Sequence, residues 1–216
     1  MTGYMGKILH VNLSDRTTSV ETPDEAFYRK YMGGSGLNLF YLLRDMEPGL
    51  DAFDPGNVLA ISAGVTTGLP VSGQSRMTIS AKSPLTGAVG DSQSGGFWPA
   101  ELKFSGFDAL IINGRASSPV YLWIQDGSVE IRDASHLWGR VTGDVEVQIK
   151  NELGDEKAKI LQIGPAGENM VRFAAVISMS NRANGRTGMG AVMGSKNLKA
   201  VVVRGKQRPQ VADRKT

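Results

Sequence analysis

Two stretches of this 216-residue chain set arginines among glycines, a combination suited to holding phosphate. The first runs from Gly73-Gln-Ser-Arg76 through Gly90-Asp-Ser-Gln-Ser-Gly-Gly96 to an apolar strand ending at Gly114. The second runs from Asn181-Arg-Ala-Asn-Gly-Arg186 and Gly188-Met-Gly190 to an apolar strand ending at Gly205. Ala109 and Ala200 lie 91 positions apart, as do Gly114 and Gly205. On that register Gln93 falls opposite Asn184, and Gly95 opposite Arg186. Guanidinium presents a planar fork of donors, and glycines let backbone N–H groups reach the same oxygens. Two such loops would grip an anion from both sides. Ordinary glycine turns with solvated arginines account for the same spacing, and both readings stay open at this level.

Other chemistries find less support. Cysteine is absent, which removes disulfides, thiolate metal sites and iron–sulfur ligation from this chain. The two histidines, His10 and His136, are too few for a His-rich metal site. His136, in Asp133-Ala-Ser-His136, reads as a packed loop residue. There is no Gly-x-Ser-x-Gly nucleophile elbow. The carboxylates Asp91, Glu101, Asp108 and Glu168 have no spacing that selects an acid/base pair. Gly33-Gly-Ser-Gly36 precedes a helix, but Leu39 stands where a dinucleotide fingerprint needs its third glycine. A helix-to-helix turn explains it better than nucleotide binding.

The elements that must position these residues are mostly strands. Residues 6–13 alternate as a strand and return through residues 17–21. Thr22-Pro23-Asp24-Glu25 predicts a capping box with Pro at the first helical position. Gly33-Gly34 ends that helix, and Ser35 caps a second over 36–46. Strands are expected at 57–62, 75–81, 110–113, 159–163, 171–179 and 200–204. A short helix is expected at 99–104, and another starts near Thr142 and stops at Gly154. Residues 120–125 and 128–132 form a hairpin through Asp126-Gly127, the pair that favours a type I′ turn. Strands outnumber helices and do not alternate regularly with them. The fold class is therefore α+β, with two largely antiparallel or mixed sheets related by a pseudo-two-fold and flanking helices.

The net charge of +3 suits an anionic cofactor and is too small to argue for nucleic acid. No apolar run approaches the roughly 20 residues of a bilayer span, and the N-terminus lacks signal-peptide regions. The chain reads as a cytoplasmic protein without membrane partners. Its 27 glycines come without low complexity and signal tight turns rather than disorder. Residues 1–205 read as one domain, and 206–216 as a basic, flexible tail (Lys206, Arg208, Arg214, Lys215).

Several blocks resemble the N-terminal domain of the tungsten-containing aldehyde:ferredoxin oxidoreductase family. They are Ser83-Pro-Leu-Thr-Gly87, Gly90-Asp-Ser92, Gly95-Gly-Phe-Trp98, Glu101-Leu-Lys-Phe104, Ile163-Gly-Pro-Ala-Gly-Glu-Asn169, Arg182-Ala183, Gly185-Arg186 and Gly190-Ala-Val-Met-Gly-Ser-Lys196. The likeness runs from Tyr4 to Gly205. It implies a metallopterin-binding base domain under a tungsten, or molybdenum, bis-pterin cofactor. It implies pterin contacts at Arg76, Gln93, Ser94, Gly95, Arg182, Ala183, Gly185 and Arg186. Backbone carbonyls at Gln93 and Ala183 would hold a magnesium ion between the two pterin phosphates. The family often has Asn where this chain has Gln93, a change that a main-chain ligand tolerates.

Family enzymes are much longer, and their later domains carry the cysteines of a 4Fe-4S cluster. The resemblance therefore implies a piece of an oxidoreductase that needs C-terminal domains or a partner subunit and is inactive alone. The whole would oxidise aldehydes to carboxylic acids and pass electrons to ferredoxin; homo-oligomerisation is compatible with it. The alternatives are a non-catalytic assembly subunit of the same fold without cofactor, and a nucleotide-binding module.

Overall fold

A computed structural model describes residues 1–213. The hairpin β1 (Ile8–Asn12) and β2 (Thr17–Glu21) opens the chain. It is followed by α1 (Glu25–Tyr31), α2 (Ser35–Asp45), β3 (Leu59–Ala63), β4 (Met77–Lys82), β5 (Val89–Ser94), α3 (Trp98–Phe104) and β6 (Ala109–Asn113). A second hairpin, β7 (Val120–Gln125) and β8 (Ser128–Asp133), begins the other half. A 3-10 turn at Ser135–Leu137 and α4 (Thr142–Leu153) follow. Then come β9 (Lys159–Gln162), α5 (Pro165–Glu168), β10 (Val176–Ser178), β11 (Arg182–Asn184), α6 (Met189–Ser195) and β12 (Leu198–Arg204).

The strands form two six-stranded sheets, ordered β2-β1-β6-β3-β4-β5 and β11-β10-β9-β12-β7-β8. Read from its other edge, the second has the topology of the first. Each is a hairpin, one parallel pairing (β1 with β6, β7 with β12), then three antiparallel pairings out to an edge strand. The α+β class and the pair of mixed sheets agree with expectation.

Alternation along the central strands sorts residues between layers. Leu9, Val11, Leu110 and Ile112 of the first sheet and Leu122, Ile124, Val201 and Val203 of the second share one central core. Trp98 and Leu102 of α3 and Met189, Val192 and Met193 of α6 lie in it too. Ile8 and Ile111 point the other way and pack under α1 and α2 with Tyr28, Leu37 and Tyr41. Trp123 and Val202 pack under α4 with Val145 and Ile149. The Trp98 indole N–H donates to the Val201 carbonyl at 3.0 Å, so a helix of one half is tied to the central strand of the other.

Local expectations were met unevenly. Asp126 (φ 48°) and Gly127 (φ 94°) make the expected turn. The cap of α1 is Asp24, whose side chain accepts from Phe27 N–H, so Pro23 precedes the helix. The N-cap of α2 is Gly34 (φ 59°), and Ser35 is its first helical residue. Gly33 lies so near β3 that a Cβ would sit 2.6 Å from the Ala63 carbonyl oxygen, which accounts for the glycines there. The strand expected over 171–179 shortens to Val176–Ser178. Strand β5 occupies what looked like a glycine loop, and α6 was not foreseen. Every residue of α6 is buried, so it has no polar face to give a helical period. A Cβ on Gly194 would lie 1.9 Å from the Gly167 carbonyl oxygen, which is why α5 and α6 approach through glycine.

The segment expected as a flexible tail forms no regular element over 206–213, and it lies against the body. Gln207 N–H donates to Phe104 C=O (3.1 Å), Gly3 N–H donates to Gln210 C=O (2.8 Å), and the Arg208 guanidinium sits 3.6 Å over the Phe104 ring. Arg214 and Lys215 lie outside the described residues. No helix among the described residues is long and apolar enough to cross a membrane.

Two buried lysines clamp backbone. Lys103 Nζ donates to the carbonyls of Gly3, Gly64 and Val65 at 2.7–2.8 Å, and Lys196 Nζ to those of Pro55 and Gly114. Burial pushes the ammonium of Lys196 down to about 7 and that of Lys103 to about 8, against 10.5 for a free lysine. Above those values the unfolded chain binds more protons than the folded one, so stability rises with pH up to the free-lysine value. Urea unfolding should show a higher midpoint at about pH 9.5 than at about pH 7, and Lys196→Met should flatten that slope. Gly194→Ala drives a methyl into backbone and should cost at least about 2–3 kcal/mol by thermal or urea unfolding.

Candidate functional site

The edge strands of the two sheets, β5 and β11, meet. Ser94 Oγ–H donates to Asn184 Oδ1 (2.8 Å), and Asn184 Nδ2 donates to the Ser92 carbonyl (2.7 Å). Arg186 N–H donates to Ser92 Oγ at 3.2 Å. Ser92, Ser94 and Asn184 are all buried, so neither edge is left open.

Register fixes how the halves correspond. Starting from the pair Ala109/Ala200, the ladders equate Ser62 with Gln162, Thr78 with Ile177, and so Gln93 with Ala183 and Ser94 with Asn184. The spacing of 91 therefore fails at the edge strands, where Gln93 matches Ala183 rather than Asn184. The path from edge strand to central strand is one residue longer in the second half. Carried past the strand ends, Gly95 matches Gly185 and Gly96 matches Arg186. The bond between Ser94 and Asn184 thus joins two equivalent positions and marks the pseudo-two-fold.

A cleft lies on each side of this junction. The first, about 480 Å³, is lined by Gly73, Ser75, Arg76, Gly95, Gly96 and Arg182, with Gln74, Phe97 and Ala100. The second, about 540 Å³, is lined by Asp91, Ser92, Gln93, Ala183, Gly185 and Arg186. The structure therefore brings Arg76, Gly95 and Arg182 together on one side, and Gln93, Ala183, Gly185 and Arg186 on the other. Ser94 lines neither; its hydroxyl is committed to Asn184.

Each arginine leaves a fixed backbone. Arg76 enters β4 with its N–H on Thr67 Oγ1 (3.1 Å), and its carbonyl accepts from Thr67 Oγ1 (3.0 Å) and Gly64 N–H (2.9 Å). The Lys103 ammonium grips the carbonyls of Gly64 and Val65 in the same loop. Arg182 starts β11 after a two-residue turn at Met179 and Ser180, both left-handed (φ 52° and 55°). Such a conformation costs roughly 1–2 kcal/mol per non-glycine residue. Ser180 Oγ donating to Glu146 (2.6 Å) and Phe97 N–H donating to Met179 Sδ (3.1 Å) hold the turn. Arg186 is followed by Thr187, a β-branched residue at φ 61° whose carbonyl accepts from Ser83 Oγ (2.7 Å).

The Arg76, Arg182 and Arg186 side chains are exposed. Among the described residues none of their guanidiniums forms an ion pair or hydrogen bond. Other carboxylates near arginines are spoken for, as where Arg204 pairs with Glu101 and Asp155. A guanidinium kept free beside glycine backbone is suited to an anionic oxygen. His136 lines neither cleft and pairs with Glu152 at 2.7 Å. Among the described residues no group of three His, Cys, Asp or Glu side chains could hold a metal, so a cation here would depend on carbonyls and ligand oxygens. Gln74, Gly96 and Phe97 were not anticipated as lining residues. Asp91 was noticed only as one carboxylate among four; its period-two relation to Gln93 would have placed it, had residues 89–94 been taken as a strand.

Fold and clefts together define a class: a duplicated two-sheet α+β domain with arginine-lined clefts at its internal two-fold. Residues 8–205 match the family model of the aldehyde ferredoxin oxidoreductase N-terminal domain, and the chain belongs to that family. It is 51% identical over 214 residues to the tungsten-containing aldehyde ferredoxin oxidoreductase of Pyrococcus horikoshii. It is 47% identical to that of Pyrococcus furiosus; each match covers 99% of this chain and 35% of the relative. An aliphatic sulfonate oxidoreductase, WOR-like subunit, of Pyrococcus furiosus is 36% identical, with 99% of this chain and 36% of that protein covered. Among solved structures, the active site complex BamBC of benzoyl coenzyme A reductase superposes with TM-score 0.96 and 39% identity, over 99% of this chain and 33% of that one. The chain thus spans about a third of the length of the relatives it matches.

Removing the Asn184 amide leaves the Ser92 carbonyl and Ser94 hydroxyl buried without partners. Asn184→Ala should lower unfolding free energy by about 1–3 kcal/mol in urea titrations, whereas Arg186→Ala, at an exposed position, should change it by less than about 0.5 kcal/mol.

Proposed function

We propose that this chain is the cofactor-binding domain of a tungsten oxidoreductase of the aldehyde:ferredoxin type, carrying a bis-pterin cofactor across the β5–β11 junction. The observation that carries this reading is the set of three guanidiniums, drawn from both halves and free of carboxylate partners, on two clefts flanking one axis. Pterin phosphates are anionic, so this donor set fits them. Arg76 and Arg182 serve the first cleft and Arg186 the second. Amides at Gly95 and Gly185 approach the ligand where no side chain intervenes. Backbone carbonyls at Gln93 and Ala183, equivalent positions on the two edge strands, take a magnesium ion; a main-chain ligand leaves the length of the Gln93 side chain without effect. When bound, the cofactor supplies the metal, the sulfurs around it and the redox chemistry. The work of this chain is binding, orientation and charge neutralisation.

Electrons would leave through a 4Fe-4S cluster held by further domains, toward ferredoxin, since this chain has no cysteine to hold one. Relatives named for aldehyde, sulfonate and benzoyl coenzyme A chemistry all match over 99% of the chain. Substrate choice therefore resides outside it, and the aldehyde reading rests on the relatives at 51% and 47% identity. In the assembled enzyme, Arg182→Ala combined with Arg186→Ala should abolish pterin and tungsten retention, measured by metal analysis and pterin fluorescence. Normal contents of both would sink the proposal.

A further inference from the structure

Of the four carboxylates that the sequence offered, three have structural partners. Glu101 accepts from Arg204 and from Gly205 N–H. Asp108 is buried under Met5 N–H, Gly6 N–H and the Tyr28 hydroxyl. Glu168 pairs with Lys199 and accepts from Gly139 N–H. The carboxylate of Asp91 alone of the four accepts no hydrogen bond and forms no ion pair among the described residues. It is half-buried on β5, two positions before Gln93 and on the same face, with Ser92 and Ser94 on the other. It lines the second cleft together with Gln93, Ala183 and Arg186. Asp91 and Arg186 share that cleft without pairing with each other.

This makes the two equivalent clefts electrostatically different. The first has two guanidiniums and no carboxylate. The second has one guanidinium and one carboxylate. A phosphate entering the second cleft meets a like charge, which opposes binding unless a cation stands between them. Magnesium takes one or two carboxylate groups together with phosphate oxygens and retains several waters. We infer that Asp91 is a positioning residue that makes anion binding in the second cleft conditional on a divalent cation. It does so by balancing that cation from the protein side, directly or through a metal-bound water. The inference rests on the proposed cofactor-binding role and adds a carboxylate to the expected backbone carbonyls.

The test uses the assembled enzyme prepared free of cofactor, titrated calorimetrically with inorganic pyrophosphate with and without millimolar Mg2+. Binding that depends on Arg186 should tighten about tenfold on adding Mg2+. Asp91→Asn should bind metal-free pyrophosphate more tightly than the unaltered protein and lose the Mg2+ effect, while Asp91→Glu keeps it. Should Asp91→Asn fail to fold, Asp91→Ser reads the same difference. An unchanged Mg2+ effect in the Asn or Ser variant overturns the role given to Asp91 and leaves the cofactor reading standing. Pyrophosphate binding that neither Arg186→Ala nor Arg182→Ala weakens overturns both.

Discussion

Two edge strands that would otherwise each end a sheet are closed against one another by the side chain of Asn184. Its amide spans the gap, accepting from Ser94 and donating to the Ser92 carbonyl, in a setting where neither bond competes with water. An exposed edge invites pairing with other chains, and a second sheet edge is a more specific cover than bulk charge. Everything at the candidate site hangs from this closure. It brings Gln93 and Ala183 to equivalent places, sets the Arg186 backbone N–H on the Ser92 side-chain hydroxyl, and leaves a cleft on either side. The strained turn at Met179 and Ser180 and the left-handed Thr187 lie immediately beside it. Conformations of that kind persist where surrounding contacts over-determine them, and here Phe97 and Ser83 of the opposite half supply two of those contacts, with Glu146 of the same half supplying a third.

Charge follows the same logic. The interior spends its carboxylates on structure: Asp108 gathers the N-terminal amides, Glu168 neutralises Lys199, and Glu101 holds Arg204. Two other buried lysines, Lys103 and Lys196, are satisfied by carbonyls rather than by acids, with Lys103 stiffening the loop that leads to Arg76. The result is a frame in which three arginines stay uncommitted without leaving their own backbone loose. A ligand that meets them would order only the arginine side chains and not the backbone beneath them, which limits the ordering cost of binding.

Much of this was legible in the residues and some was not. Period-two alternation exposed the hairpins and central strands, and the spacing of Ala109 and Ala200 exposed the duplication. The arginines were visible because Arg beside Gly is a local signal. The edge strand β5 was taken for a loop because Gly90, Gly95 and Gly96 frame four polar residues, Asp91 to Ser94, and mask its alternation; its pairing with β4 is a tertiary fact. The same mistake hid Asp91, whose meaning depends on sharing a face with Gln93. Helix α6 has no polar stripe, so no periodicity could announce it. The one-residue difference between halves was invisible too, because only ladder register, not spacing, shows that Gln93 matches Ala183. The resemblance put Ser94 among the ligand contacts, and in the fold its hydroxyl donates to Asn184.

The duplication also bears on how such a site diversifies. Two identical half-chains meeting about a true axis would be obliged to present the same chemistry twice, since any substitution would appear on both sides. Joined in one polypeptide, each side changes alone. Arg186 stands where the first half has Gly96, and Arg182 stands where it has Ser92. The frame keeps the economy of a dimer, and its ligand-facing residues have the independence of separate genes.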